Sequence, residues 1–136
     1  MRISAKAEYA CLAVITLALR DRDEGPMPIR EIAESRGIPE PFLTQILLKL
    51  KAAGIVQSTR GSSGGYRLAK APEDITLGEI LGVMDGYALT PRIPQGPAAP
   101  FLAGVWDQLH DSESRVLTRT SVADLARRAT APDWVI

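Results

Sequence analysis

"QSTRGSSGGYRLAK", Gln57 to Lys70, is the stretch whose reading decides the fold. It carries three glycines, three cations and no acid, and it joins two short β-prone runs, "IVQS" (55–58) and "GYRLA" (65–69). A plain hairpin turn needs about two residues, usually Asn-Gly or Gly-Gly. This loop is longer. Gly61, Gly64 and Gly65 let backbone N–H groups come close to another surface without a Cβ in the way, and they permit φ > 0 at the tip. Ser62 and Ser63 add hydroxyl donors. Arg60 stands at the start of the loop, where a guanidinium suits a phosphate or a narrow minor groove.

The residues just before the loop give it a context. "IREIAESR" (29–36) reads as a short amphipathic helix with Ile29, Ile32 and Ala33 on one face, ended by Gly37. The tight connection "GIPEP" leads to a second helix, "FLTQILLKLKAA" (42–53), which Gly54 stops. Its apolar stripe is expected to be Phe42, Ile46, Leu47 and Leu50. Opposite that stripe lie Thr44, Gln45, Lys49 and Lys51. Helix, tight turn, helix, strand, glycine loop, strand is the order of a helix-turn-helix followed by a β-hairpin wing. The second helix of such a unit enters the major groove of DNA. The expected fold is therefore mainly α with a small β-hairpin wing.

Farther out, Ser4 is placed to cap a first helix running to about Arg20, apolar nearly all round and so central to the fold. Thr76 with Glu79 three residues on forms a capping box for a helix ending at Gly86. Pro91, Pro94, Pro97 and Pro100 recur every third residue, which predicts an extended connector over 87–100. A long helix follows from Phe101 to Thr120, with Leu102, Val105, Trp106, Leu109, Val116 and Leu117 as its apolar stripe. Ser121 caps a last short helix, "VADLARRA". The expected organisation is a DNA-binding domain over 1–86, the connector, and a dimerisation helix with a short helix over 101–136 that packs back on the first domain.

Net charge is zero over 136 residues, but the distribution is uneven. Residues 1–70 hold 11 Lys+Arg against 7 Asp+Glu, and residues 71–136 hold 5 against 9. No acid occurs between Glu40 and Glu73, a span that contains Lys49, Lys51, Arg60, Arg67 and Lys70. A local cationic face is thus hidden by a neutral average. The single cysteine, Cys11, allows no intramolecular disulfide. The most apolar run, Tyr9 to Leu19, is far shorter than the roughly 20 residues that span a bilayer, and it lacks a signal-peptide pattern. A cytoplasmic protein with no membrane partner is expected. Nothing suggests an enzyme: "GSSGG" lies between strands rather than on a strand-to-helix turn.

These residues also carry a resemblance. "MRISAKAEYA", the span from "IREIAESRGIPEPFLTQILLKLKAAGIVQSTRGSSGGYRLAKAPEDITLGEILGVMDG" and the later "SVADL" resemble the bacterial winged-helix regulators that include the iron–sulfur cluster regulator, the nitric-oxide-sensitive repressor and the cysteine-metabolism repressor. The resemblance implies a transcription regulator, a repressor acting as a homodimer on a pseudo-palindromic operator in double-stranded DNA. It implies phosphate contacts from Arg2, Ser4 and Lys6. It places Pro41, Thr44 and Gln45 at bases and Lys49 on the DNA backbone, with Arg60, Gly61, Ser62 and Ser63 in the wing. The long helix would cross its partner's equivalent through Leu102, Val105, Trp106, Leu109 and Val116.

One departure matters. Cluster-binding members carry three cysteines soon after the helix that ends near Gly86, and residues 87–136 contain none. Thiolates hold iron–sulfur clusters, so no cofactor is expected. Glu8, where some members supply a carboxylate ligand, then reads as a solvated or helix-dipole residue. His110 lacks ligands at metal spacing and reads as a surface histidine. Control by a small-molecule effector, sought near the connector and Trp106, or by a partner protein stays open. The competing class is a winged helix that contacts a protein rather than DNA. It calls for an apolar or acidic recognition face, unlike the acid-free span here.

Overall fold

The computed structural model describes residues 2–86 and 100–131. Ser4 begins the first helix, α1 (Ala5–Leu19), by accepting a hydrogen bond at Oγ from the Ala7 N–H at 3.1 Å. Ala7, Ala10, Ala13, Val14 and Leu17 bury one side of α1, and the small alanines let neighbouring helices approach closely. Thr16, the polar interruption in the apolar run, is buried yet satisfied. Its hydroxyl donates to the Leu12 carbonyl at 2.7 Å and accepts from Arg36 Nε at 2.7 Å, which ties α1 to the end of the next helix.

That helix, α2 (Ile29–Arg36), stops at Gly37 in the left-handed conformation, φ +64°. Ile38 is buried within the tight turn, and α3 (Glu40–Ala52) begins two residues earlier than its sequence pattern predicts, with Pro41 in its first turn. Its buried residues are Leu43, Ile46, Leu47 and Leu50. The expected Phe42 is not among them: it is 46% exposed. The reason is angular. Positions 43, 46, 47 and 50 follow the i, i+3, i+4, i+7 rule around one direction, and position 42 lies a quarter turn off it.

The wing is an antiparallel pair, β1 (Val56–Thr59) and β2 (Gly65–Leu68), with Val56 opposite Leu68 and Thr59 opposite Gly65. Strands of four residues are marginal alone. A third piece of chain supports them: Met27 and Tyr66 exchange N–H···O bonds of 2.8 Å in both directions. Arg20 organises the loop that presents Met27. Its Nε donates to the Gly25 carbonyl at 2.8 Å, and its guanidinium pairs with Glu31 at 3.2 Å. Tyr66 packs against the core from beneath the wing.

After a 3₁₀ turn at Pro72–Asp74 comes α4 (Leu77–Asp85), started by the Thr76–Glu79 capping box. Then α5 (Pro100–Arg119) leads to α6 (Val122–Ala129), itself started by a Ser121–Asp124 capping box. The two capped starts lie side by side: Leu77 N–H donates to the Thr120 carbonyl at 2.9 Å and Val122 N–H to the Ile75 carbonyl at 2.8 Å. Val122 joins the same buried cluster as α1 and α3. Leu117, on the apolar stripe of α5, is buried with Ala7 and Leu81, against Gly78 of α4. It belongs to the inward side of α5, the side that also carries half-buried Ala103, His110 and Ser114.

Gly65 tests how the wing is held. Its φ is +154°, and a Cβ there would fall on the Met27 carbonyl. Gly65→Ala is therefore expected to lower stability by about 2–4 kcal/mol in urea unfolding at fixed protein concentration. An unchanged midpoint would show that the Met27–Tyr66 bridge does not constrain this site.

Candidate nucleic-acid interface

On α3 the side opposite the core presents Pro41, Thr44, Gln45, Leu48 and Lys49, all exposed. The Thr44 hydroxyl donates back to the Glu40 carbonyl at 3.0 Å, which leaves its oxygen free to accept. Gln45 offers one acceptor and two donors one turn along from Pro41. Lys49 and Lys51 extend the cationic character toward the end of the helix, where they also complement its dipole. Among the described residues no ion pair holds Arg2, Lys6, Lys49, Lys51, Arg60 or Arg67, whereas Arg20, Arg30, Lys70 and Arg127 have acid partners.

In the wing tip, Arg60, Gly61, Ser62 and Ser63 are exposed. The glycines divide their labour. Gly61 has φ +106° and open space around it, so it serves the turn and leaves backbone accessible. Gly64 is required internally: a Cβ there would collide with the Thr59 carbonyl, while its own N–H donates to the Gly61 carbonyl at 3.0 Å. That N–H is already committed within the turn, whereas the serine hydroxyls and Arg60 are exposed donors at the tip. The role of Gly65 is likewise internal, in the bridge to Met27.

Arg2, Ser4 and Lys6 are exposed at the start of α1. Ser4 is engaged by a residue 81 positions away. Its Oγ donates to one carboxylate oxygen of Asp85 at 2.5 Å, and its backbone N–H donates to the other at 3.1 Å. A carboxylate thus occupies one of the anion positions at this helix start. Sequence patterns gave no sign of this contact. Asp85 is the last residue of α4, so the link joins the start of α1 to the point where the chain leaves for residues 87–99. The proline-spaced connector and any effector site built on it lie outside the described residues. A cavity of about 320 Å³ lies elsewhere, between the end of α1 and β2, lined by Arg20, Arg22, Arg67 and Lys70 among others.

Along α5, Leu102, Val105, Trp106, Leu109 and Val116 are exposed by 38–58%, and Phe101, outside the expected set, by 77%. Leu102, Val105, Trp106 and Leu109 thus form an exposed apolar face, with Val116 two turns beyond, on a helix that packs on α4 at Leu117.

Comparison with known proteins fixes the context. A profile of the family named Rrf2, described as iron-dependent transcriptional regulators, matches residues 3–128. The chain belongs to the Rrf2 family. CymR of Bacillus subtilis, an HTH-type transcriptional regulator, is 35% identical over 93% of this chain and 90% of its own. An HTH-type regulator of Photobacterium profundum, IscR, is 40% identical over 93% of this chain and 76% of its own. The structure of B. subtilis CymR, titled the global cysteine regulator, superposes with a TM-score of 0.86 at 33% identity, covering 94% of this chain and 98% of that one. This Rrf2 chain is a DNA-binding transcription regulator with a winged-helix fold, and the reading as a protein-contact module is not favoured.

The Rrf2 description as iron-dependent raises the question of a metal. The donors do not fit a thiolate-held cluster. Cys11 is the only cysteine, and residues 87–99 contain no Cys, His, Asp or Glu. Among the described residues no group of three or more such side chains stands together. Burial between two apolar clusters, with Glu8 and Asp85 adding repulsion, pushes the Cys11 thiol up to about 11. Glu8 is exposed in the first turn of α1, and His110 meets Ser114 Oγ at 3.5 Å.

The Ser4–Asp85 link has a titration signature. The Ser4 hydroxyl first, then the Ser4 N–H, hold the Asp85 carboxyl below its ordinary value of 3.8. The unfolded chain takes up this proton at a higher pH than the folded one. The link's contribution to stability is therefore full above the ordinary value and lost as pH falls through the lower folded one. A carboxyl ¹³C titration is expected to place the Asp85 midpoint below 3.8, and Ser4→Ala to move it back up. A midpoint unaffected by Ser4→Ala would contradict the link.

Proposed function

We propose that this regulator is a repressor that binds a pseudo-palindromic operator as a homodimer, without an iron–sulfur cluster. The observation that carries the reading is the exposed surface of α3 beyond Glu40 and of the wing, free of acids from residue 41 to 72, where Gln45, Lys49, Arg60, Ser62 and Ser63 have donors and charges that no protein partner is seen to satisfy and Thr44 keeps an oxygen free to accept. In this reading α3 lies in the major groove, with Pro41, Thr44 and Gln45 at base edges and Lys49 on a phosphate. The wing tip lays Arg60, Gly61, Ser62 and Ser63 along the neighbouring backbone or minor groove, with Gly64 shaping the turn. Arg2 and Lys6 meet phosphates at the start of α1, and Ser4 joins them where it exchanges its Asp85 carboxylate for a phosphate oxygen.

The dimer reading rests on the open face of α5. Leu102, Val105, Trp106, Leu109 and Val116 give a wet apolar stripe to a monomer and a buried seam to a pair. Residues 1–86 then act as the DNA-binding unit, and 101–136 join the two copies while α6 docks on the first domain. Two helix-turn-helix units related by a two-fold axis match two inverted half-sites. Repression follows most simply, because a bound dimer occupies DNA that polymerase needs. The protein works where the chromosome is, in the cytoplasm of a bacterium.

Arg60→Ala is expected to weaken operator binding by about 1–3 kcal/mol. Lys49→Ala should weaken all duplexes alike and reduce the slope of log affinity against log salt by about one. Fluorescence anisotropy at two salt concentrations reads both. Affinity unchanged by Arg60→Ala would sink the wing assignment, and binding insensitive to salt would sink the DNA-contact map as a whole.

Anaerobically purified protein should be colourless and lack stoichiometric iron and sulfide. Cys11, with its thiol held near 11, should alkylate slowly at pH 8 and accelerate only well above it. The unfolded chain loses the thiol proton first, so Cys11 favours the folded state below its ordinary value of 9.0 and ceases to as pH rises toward 11. Iron and sulfide whose removal changed DNA affinity would refute the cluster-free reading.

A further inference from the structure

Successive helical residues turn by about 100°, so the buried set of α3 fixes where every other side chain on it points. Leu43, Ile46, Leu47 and Leu50 point inward. The direction opposite them is occupied by Pro41, Gln45, Leu48 and Ala52. Thr44 and Lys51 flank this row on one side and Lys49 on the other. Leu48 therefore sits at the centre of the outward face, one turn beyond Thr44 and Gln45, and it is 58% exposed. A single exposed leucine is ordinary on a protein surface. This one stands in the middle of a face whose borders carry unpaired lysines, a poor setting for a protein partner that would have to bury them.

We propose that Leu48 is a specificity-determining residue that reads thymine by packing on its C5 methyl in the major groove. Leu48 can neither donate nor accept a hydrogen bond. On the major-groove edge of the four base pairs, the thymine methyl is the apolar group such a side chain can distinguish. Leu48 complements Gln45, which addresses donors and acceptors one turn earlier on the same row. Thymine opposite Leu48 is favoured because it buries hydrocarbon against hydrocarbon. Cytosine, with a bare C5 and an amino group beside it, offers Leu48 no such surface. The assignment rests on α3 being the base-reading helix, as proposed above.

Deoxyuridine differs from thymidine by this methyl alone, so it isolates the contact. Duplexes that the protein selects from a randomised pool define an operator, and each thymine in it is replaced in turn by deoxyuridine. At one or more thymines in each half-site the replacement should weaken wild-type binding about fourfold, the factor for one buried methyl. Leu48→Ala should weaken binding to the thymine operator by at least that factor and bind the corresponding uridine duplex equally well. Alanine is a strong helix former and Leu48 is exposed, so the variant keeps its fold, checked by an unchanged melting curve. Wild-type protein that binds every uridine duplex as tightly as its parent would overturn the assignment, as would a Leu48→Ala variant that still distinguishes thymine from uridine. Gln45→Ala separates the two levels. Loss of operator preference in Gln45→Ala, with no effect of uridine, removes the role of Leu48 alone. Preference retained in Gln45→Ala as well as in Leu48→Ala removes α3 as the base-reading helix and this assignment with it.

Discussion

Met27 and Tyr66 exchange two backbone hydrogen bonds of 2.8 Å, and the placement of the wing depends on this pair. The hairpin has only four residues per strand, too few to hold a fixed attitude by themselves. The bridge gives it a third strand one residue long. Its requirements spread outward. Gly65 must lack a side chain so that the Met27 carbonyl can approach, and Arg20 must gather the loop at Gly25 and Glu31 so that Met27 is presented. Tyr66 then drops its ring onto the core, and the tip with Arg60 is carried at the far end of a braced lever. Backbone pairing is well suited to this task, because it fixes direction as well as distance.

The other end of the chain is fixed by a similar device. Ile75 and Leu77 exchange backbone bonds with Val122 and Thr120, so the two capped helix starts, α4 and α6, brace each other. That arrangement decides which side of α5 is available. Leu117 is drawn down onto Gly78, where a side chain on the glycine would press against it, and the opposite side is left with Leu102, Val105, Leu109 and Val116 open. The inward side packs on its own chain, and the outward side is the surface proposed for a second copy. Asp85 adds a link within residues 1–86, reaching from the end of α4 to the hydroxyl and N–H of Ser4 at the start of α1.

Much of this was legible in the sequence where local chemistry dictates structure. Ser4, Thr76 and Ser121 cap helices because each places an oxygen over a free N–H, and Gly37 and Gly86 end helices in the left-handed region. The glycine loop announced the wing, and the acid-free span marked the face. What stayed hidden depends on pairings between distant positions. A one-residue bridge at Met27 leaves no periodic trace, and neither does a contact between positions 4 and 85. The stripe of α3 was ambiguous because the series through Phe42 and the series through Leu43 share Ile46, Leu47 and Leu50; the packing chose Leu43. The apolar stripe of α5 likewise holds both buried Leu117 and its exposed neighbours, because a stripe read from sequence does not say which part of it packs on its own chain. The glycines of the wing looked uniformly outward-facing, yet Gly64 and Gly65 are there for Thr59 and Met27.

The central claim is that two copies of this chain place α3 and the wing on inverted half-sites along one side of a DNA duplex. Hydroxyl-radical footprinting on an operator chosen by the protein itself tests it most directly. The account predicts protected sugars in two groups related by a two-fold axis, with the half-site centres about one helical turn, or a whole number of turns, apart. Each group should be flanked by a further protection that weakens in Arg60→Ala. A single unsymmetrical footprint, or protection that ignores the helical repeat, would contradict the account.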